Sequence, residues 1–322
     1  MKRPLHPFKT PGTALLNTLL VYFLLITPGH SQHSDANGDA GRTDPADADY
    51  FLHQPFQSDR PEERLDLNHL GASYIFKDDA YYIDAVLEGY PAHQSGLRRG
   101  DAILSVDGTA FHPLWSLNDN TRIPHQWEAL NQPVQLRYRR RTAEHTVTLE
   151  PVFENLYDSY RSASLNSVAQ LTSGNKLIGY VHFWALSRNT NDVITFLRIM
   201  DSLAQCDGLI VDLRGGLGYL SEAHLDAFVR GSGNEADIAA ISPWSSSEPI
   251  NSYNRPAVIL QDADTRGGPE ILARRLAPLG RIETIGGTTS GGMVPERPVD
   301  YPRHAISDPQ LSEAMFTLVE LM

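Results

Sequence analysis

Chemistry is most readily placed in the stretch Gln261 to Ala273, which reads QDADTRGGPEILA. It follows an apolar run, Ala257-Val258-Ile259-Leu260, with the character of a buried strand. It leads into a helix expected over Pro269 to Ala277, with proline in the first turn. A strand-to-helix turn aims backbone N–H groups, and any side chain at the turn, at one spot beside the helix N-terminus. A nucleophile and its oxyanion would gain most there. Yet Gly267 and Gly268 carry no side chain. Asp262, Asp264 and Glu270 read as solvated or helix-N-terminal charges. No His/Asp/Glu group has the spacing of metal ligands, and no cofactor is implied.

The elements that must position this turn follow from periodicity. Leu177 to Phe183 reads as a strand, and Asn191 to Gln205 as a helix capped by Asn189 or Thr190. Gly208 to Leu213 is continuously apolar, as in a strand covered on both faces. A helix over Ser221 to Val229, the strand before Gln261, the helix after Gly268 and a strand over Ile282 to Ile285 complete the order. Alternating strands and helices predict a layered α/β sheet over residues 152–322.

Residues 66–151 have a different rhythm. Tyr81 to Val86 alternates as a strand. Turns at Gly100-Asp101 and Asp107-Gly108 bracket a short strand, Ala102 to Val106. Pro133 to Tyr138 and Thr146 to Leu149 form a hairpin across a basic turn, Arg139-Arg140-Arg141. The run SGLRRGDAILSVDG resembles a PDZ domain over fourteen consecutive positions. That resemblance implies a small loop at His69-Leu70-Gly71-Ala72 that binds a carboxylate. It also implies an edge strand from Ser73 and Tyr74 to Phe76 that accepts an extended peptide, often a free C-terminus. The plainer role for such a module is docking on the next domain.

Composition sets the surroundings. Twenty-seven basic and 39 acidic residues give a net charge of −12. Residues 1–31 hold Lys2, Arg3 and Lys9 and no acid, so the remainder carries −15. An acidic surface argues against nucleic acid as partner. Those three cations precede an apolar run, Ala14 to Ile26, and small residues up to Ser31, the pattern of a signal peptide or, uncleaved, of an amino-terminal anchor. The run is short for a stable span, which needs about 20 apolar residues. The body is therefore expected to be exported, periplasmic or secreted, with membrane contact only through residues 1–31. Cys206 is the single cysteine, so no internal disulfide is available, and its apolar setting suggests an inert thiol. Residues 32–65 are poor in large apolar groups and read as a linker or arm.

Taken together, IGYVHF, GLIVDLRGGLG, PAVILQDADTRGGPEILARRL, GRIETIGGTTSGG and SDPQLSEAM resemble the tail-specific, or C-terminal processing, serine proteases. In that family a PDZ domain commonly precedes an α/β protease core, and the resemblance covers roughly residues 66–322. It implies that the turn after Asp212-Leu213-Arg214 lends a backbone N–H to an oxyanion hole. Gly218 is the best-matching position, with Gly215 and Gly216 shaping the turn. Glycine allows that close approach, and aimed N–H groups stabilise the developing charge. A tight strand-to-helix turn is the plainer role of the same residues.

The departures are specific. The family's serine falls at Gly267, and its lysine base falls near Gly291-Gly292. Beyond residue 31 the only lysines are Lys77 and Lys176, far upstream. The hairpin that the family usually inserts between Gly292 and Val299 is missing, which shortens the substrate channel. Ser290 and Thr265 are the substitute hydroxyls, and each needs a base within hydrogen-bond reach. His182, His224 and His304 are the imidazoles of the second domain. Three readings result: a pseudoprotease that binds polypeptide C-termini, an active peptidase with a displaced nucleophile, or a structural partner of an active paralogue.

Overall fold

Side-chain alternation builds the first sheet. The computed structural model of the chain describes residues 65–229, 252–291 and 308–322. The expected signal, the arm to residue 64, Gly292, the segment that follows it and His304 lie outside the described residues. β1 (Leu67–His69), β2 (Ala72–Lys77) and β3 (Ala80–Val86) lead to a short helix, α1 (Pro91–Gln94). β4 (Ala102–Val106), β5 (Thr109–Ala110), β6 (Val134–Arg140) and β7 (Ala143–Leu149) follow. In β6, Val134, Leu136 and Tyr138 are buried while Gln135 and Arg137 face solvent, the period of two that a half-buried strand requires. The sheet order is β2-β3-β4-β6-β7, with β5 on β4. Among the described residues β2 therefore forms one edge.

Turn chemistry fixes the registers. Asp78 and Asp79 both take positive φ between β2 and β3, and Asp107 and Gly108 do so between β4 and β5, the conformation of two-residue hairpins whose twist suits the strands. The last hairpin turns one residue later than its basic run suggested. Arg140 stays in β6 opposite Ala143, and Arg141 takes φ 57°. Arg140 is held there by the buried Asp101, whose carboxylate accepts from its Nε and Nη2 at 2.7 and 2.6 Å.

The second layer system begins where β8 (Val152–Glu154) pairs antiparallel with β1. α2 (Leu156–Asn166) is capped by the Asn155 side chain, which accepts from the N–H of Asp158. Then come β9 (Ala169–Ser173), β10 (Lys176–His182), β11 (Ala185–Leu186) and α3 (Thr190–Ser202), the last capped by Asn189. β12 (Gly208–Asp212), β13 (Leu217–Gly218), α4 (Glu222–Val229), β14 (Ala257–Gln261), α5 (Gly268–Leu276), β15 (Ile282–Gly286) and α6 (Pro309–Leu321) complete the described elements. The five-stranded sheet runs β15-β14-β12-β10-β9, parallel except for β9.

The uninterrupted apolar run of β12 is explained by burial on both faces. Leu209 and Val211 pack with Phe196, Ile199, Leu225 and Leu272 from α3, α4 and α5. Ile210 points the other way, among Val258, Leu260, Ala314 and Leu318, the last two from α6. A helix on each face leaves no side of this strand for water. The carboxyl ends of β12 and β14 thereby sit on a rigid base, and the two glycine-bearing turns project from them.

Candidate active site

Asp262 organises the turn that leaves β14. Its Oδ1 accepts from the N–H groups of Asp264 and Thr265 and lies 3.0 Å from Thr265 Oγ1. It also accepts from the N–H of Gly215 on the neighbouring turn, at 3.0 Å. Asp262 is thus a structural acceptor rather than the solvated charge its sequence position suggested. The Thr265 hydroxyl is fully buried, accepts from the N–H of Asp262 and lies 3.0 Å from the Leu213 carbonyl. Committed in this way, it has no open face for attack on a substrate. Arg266 donates its N–H to the Gly216 carbonyl at 2.9 Å, which completes the stitching of the two turns.

Gly267 comes next, with φ 61° and ψ −120°. L side chains reach that conformation only under strain. A sharp, strained strand-to-helix turn is how nucleophile elbows push a side chain into a site. Here the geometry is kept and nothing is presented. Gly268 then starts α5, and a Cβ there would lie 2.7 Å from the Tyr219 carbonyl carbon and the Leu220 nitrogen. The helix head and the opposing backbone are that close.

The opposing turn is equally dependent on glycine. Gly218 has φ 111°, and a Cβ on it would lie 2.0 Å from the Leu186 carbonyl oxygen. β13 pairs with β11 through the N–H groups of Leu217 and Tyr219, which donate to Trp184 and Leu186. Because successive N–H groups of a strand alternate sides, the Gly218 N–H points away from β11. At Gly216 a Cβ would meet the carbonyl oxygens of Leu213 and Phe183 at 2.8 Å. The structure thus brings Gly216, Gly218 and Gly267 to one place, with close-approach backbone on both sides.

Among the described residues, the lysines and imidazoles that could activate a hydroxyl are elsewhere. β10 runs parallel to β12 with His182 opposite Asp212, so Lys176 lies at the far end of the sheet from the two turns. Lys77 ends β2 in the other domain. His182 places Nε2 2.8 Å from the Arg214 carbonyl and Nδ1 3.2 Å from a Glu88 carboxylate oxygen. Both partners are acceptors, so each contact favours a proton on the ring nitrogen that faces it. Burial alone would lower the His182 pKa, but Asp212 and Glu88 outweigh it and hold it above its ordinary value. Both ring nitrogens are thus engaged by groups other than a hydroxyl. His224 accepts the Ser221 N–H at Nδ1, and burial lowers its pKa to about 4. It lines a small cleft with Phe196, Leu186 and Tyr157.

An imidazole does meet a hydroxyl at the domain boundary, where His69 Nε2 lies 2.9 Å from Ser159 Oγ. The polarity is wrong for catalysis. The Gly71 N–H donates to His69 Nδ1 at 3.0 Å, so the proton sits on Nε2 and is donated to Ser159. Ser159 in turn donates to Glu154 Oε1 at 2.7 Å and is fully buried. Tyr90 hydrogen-bonds the same carboxylate oxygen. This is a structural relay, and no periodicity in the sequence announces it because its members lie up to 90 residues apart.

Ser290 is brought to the turn. Its N–H donates to the Thr265 carbonyl at 3.0 Å, and the following Gly291 N–H donates to Glu270 Oε2 at 3.0 Å. Glu270 is a first-turn charge of α5, as expected, and it also pins this segment across the head of the helix. Asp264 is not solvated. It lies 3.7 Å from Arg99 of the first domain, and burial, then Asp84 and Asp262, push its pKa to about 7.

The residues of the expected peptide site adjoin one another. Leu70 is buried, and its carbonyl accepts the Ala92 N–H, while the Gly71 carbonyl accepts that of Leu87. Gly71 takes φ 71° beneath Tyr90, where a Cβ would lie 2.1 Å from the Tyr90 Cβ. Ala72, Ser73 and Tyr74 open the edge strand, with a bulge between Ser73 and Tyr74.

Residues 68–150 match the model of the PDZ domain, and residues 177–310 match that of peptidase family S41. A carboxyl-terminal-processing protease from Synechocystis sp. is 25% identical over 223 residues, 65% of this chain and 48% of that protein. The chain thus spans about half the length of that curated relative. A solved putative S41 protease from Bacteroides fragilis aligns over 84% of this chain and 77% of its own, at 16% identity and a TM-score of 0.47. The PDZ domain of a carboxy-terminal protease from Vibrio cholerae, solved in complex with peptide, aligns over 29% of this chain and 100% of its own, at 23% identity and a TM-score of 0.22. The architecture is a PDZ domain followed by an S41 protease α/β core. Over these residues the chain is similar to the C-terminal processing proteases.

Proposed function

We propose that this chain is a pseudoprotease, an exported homologue of C-terminal processing peptidases that holds polypeptide without cutting it. The observation that carries this reading is Gly267 at the head of α5, in an elbow-type conformation with no side chain. Catalysis of this kind needs an attacking oxygen and a base in reach of it. The engagement of both His182 ring nitrogens and the remoteness of Lys77 and Lys176 support the absence of the second among the described residues. The ligand is an extended polypeptide segment laid along the start of β2, which is an edge of the sheet among the described residues. Carboxyl-terminal and internal segments both suit that mode. Export is inferred from the charged and apolar pattern of residues 1–31.

The purified full chain, incubated with casein and a fluorophosphonate probe, is expected to leave casein intact and to remain unlabelled. Turnover that the phosphonate blocks removes the proposal. The second reading, a displaced nucleophile, draws on the contact between Ser290 and the Thr265 carbonyl. Under it, Ser290→Ala abolishes turnover and Thr265→Ala does not, since the Thr265 hydroxyl is enclosed. Amino-terminal sequencing of the protein recovered from its native cells tests export. A first residue just after Ser31 is expected, and retention of Met1 in a soluble intracellular fraction overturns it.

A further inference from the structure

A loop that binds a terminal carboxylate does so with backbone N–H groups left open toward the ligand. In this chain one of the three at Leu70, Gly71 and Ala72 is already used. The Gly71 N–H donates to His69 Nδ1 at 3.0 Å, within a buried pair. The acceptor cannot be withdrawn by an ordinary change of pH, because burial lowers the His69 pKa to about 3. Nor can the ring easily change tautomer, since Nε2 is fixed by Ser159 on α2, and Ser159 by Glu154. The second domain therefore locks the imidazole that occupies the loop of the first.

Charge acts in the same direction. The Glu154 carboxylate stands two hydrogen bonds behind His69 and also holds the Tyr90 hydroxyl. Tyr90 stacks on His69 with ring centroids 5.8 Å apart and packs over Gly71. An arriving carboxylate would find the Gly71 N–H already donated to the ring, with the Glu154 carboxylate behind it. A neutral amide or a continuing chain meets neither penalty.

We propose that the loop at residues 69–72 selects against a free C-terminal carboxylate, so that β2 takes internal or amide-ended polypeptide segments, with His69 as the specificity-determining residue. This rests on the reading of β2 as a peptide-accepting edge. Two randomised decapeptide pools, identical but for a free acid or a carboxamide at the end, can compete for the immobilised full chain with mass-spectrometric readout. The wild type is expected to capture the amide pool at least as well as the acid pool. His69→Ala is expected to raise the acid-to-amide ratio about tenfold, the worth of one charge-assisted hydrogen bond. Glu154→Gln, which keeps an acceptor for Ser159 and Tyr90, is expected to raise it a few-fold. Glu144→Gln on the exposed face of β7 makes the same change in net charge and is expected to leave the ratio unmoved.

Should His69→Ala fail to fold, the wild-type Gly71 amide resonance serves instead. It is expected to hold its position and its slow exchange when the acid pool is added, while the β2 amides shift. A tenfold preference of the wild type for the acid pool, or a large shift of the Gly71 amide, overturns the inference and leaves the peptide groove standing. Capture of neither pool, with the β2 amides unmoved, removes the groove and this inference together.

Discussion

Arg99 of the PDZ domain stands 3.7 Å from the carboxylate of Asp264, on the turn that leads to Gly267, and 3.1 Å from Asp84. One exposed guanidinium thus faces two half-buried acids, with Asp262 and Arg266 also acting on Asp264. Burial is the first reason that Asp264 titrates near 7, followed by Asp84 and Asp262. A carboxyl whose folded pKa lies above its unfolded value binds more protons in the native state, so stability falls as pH rises between the two. The window runs from about 4, the ordinary value, to about 7. Asp264→Asn is expected to raise the melting temperature at pH 8 by a few degrees, on the order of 1 kcal/mol, and to change it little at pH 5. The ion pair lost to Arg99 is long and half-exposed, and so contributes less. Thermal unfolding at the two pH values checks this, and equal shifts at both would contradict it.

Gly267→Ser restores a hydroxyl at the head of α5 but supplies no base. It also forces an L side chain to φ 61°, at a cost of about 1–3 kcal/mol. The variant is expected to fold with a lower melting temperature, to leave casein intact and to resist a fluorophosphonate. Hydrolysis or labelling by this single variant would show that a base is already in place.

Gly218→Ala tests how tightly the opposing backbone is built. The added methyl would sit 2.0 Å from the Leu186 carbonyl at a φ of 111°, so β11 and β13 must separate. A loss of roughly 2–4 kcal/mol is expected, read as a drop in the urea midpoint. Gly280→Ala, at a position with open space around it, is expected to be near neutral and serves as the control.

What could be read from the sequence, and what could not, follows the range of the interactions. The continuous run at Leu209-Ile210-Val211 announced a strand buried on both faces because each residue reports its own environment. The turn chemistry of Asp107-Gly108 and the proline opening α5 were legible for the same reason. α2 was hidden by a polar stretch, LYDSYRSASLN, whose amphipathic signal is weak. Asp262 and Asp264 could not be assigned from their neighbours, since their partners are Gly215 and Arg99. The same holds for His69, whose tautomer depends on Ser159 at a separation of 90 residues. Local periodicity carries no record of such pairs.

The closing helix supplies the last test. Arg214, just beyond β12, bonds the buried Asp212 through Nε at 2.9 Å and reaches Asp308 with Nη1 at 2.8 Å and Nη2 at 2.6 Å. Asp308 is also the cap of α6, accepting the Leu311 N–H at 3.0 Å. Burial alone would raise the pKa of both acids. For Asp212, His182 and Arg214 outweigh it, and for Asp308, Arg214 and the Leu311 N–H do, so both lie below the ordinary carboxylate value. Acids depressed in the fold stabilise it above the unfolded pKa of about 4, and that contribution is lost as pH falls through their folded values. Asp308→Ala removes the cap and one arm of the bridge together, and is expected to cost about 1–2 kcal/mol at pH 7. Hydrogen exchange should locate the loss in α6 and in the β12 and β14 amides beneath it, with the PDZ sheet unchanged. The difference from wild type should narrow below pH 4, where the wild-type carboxylates themselves become protonated. Uniform acceleration of exchange across both domains would mean that α6 is not held through this pair.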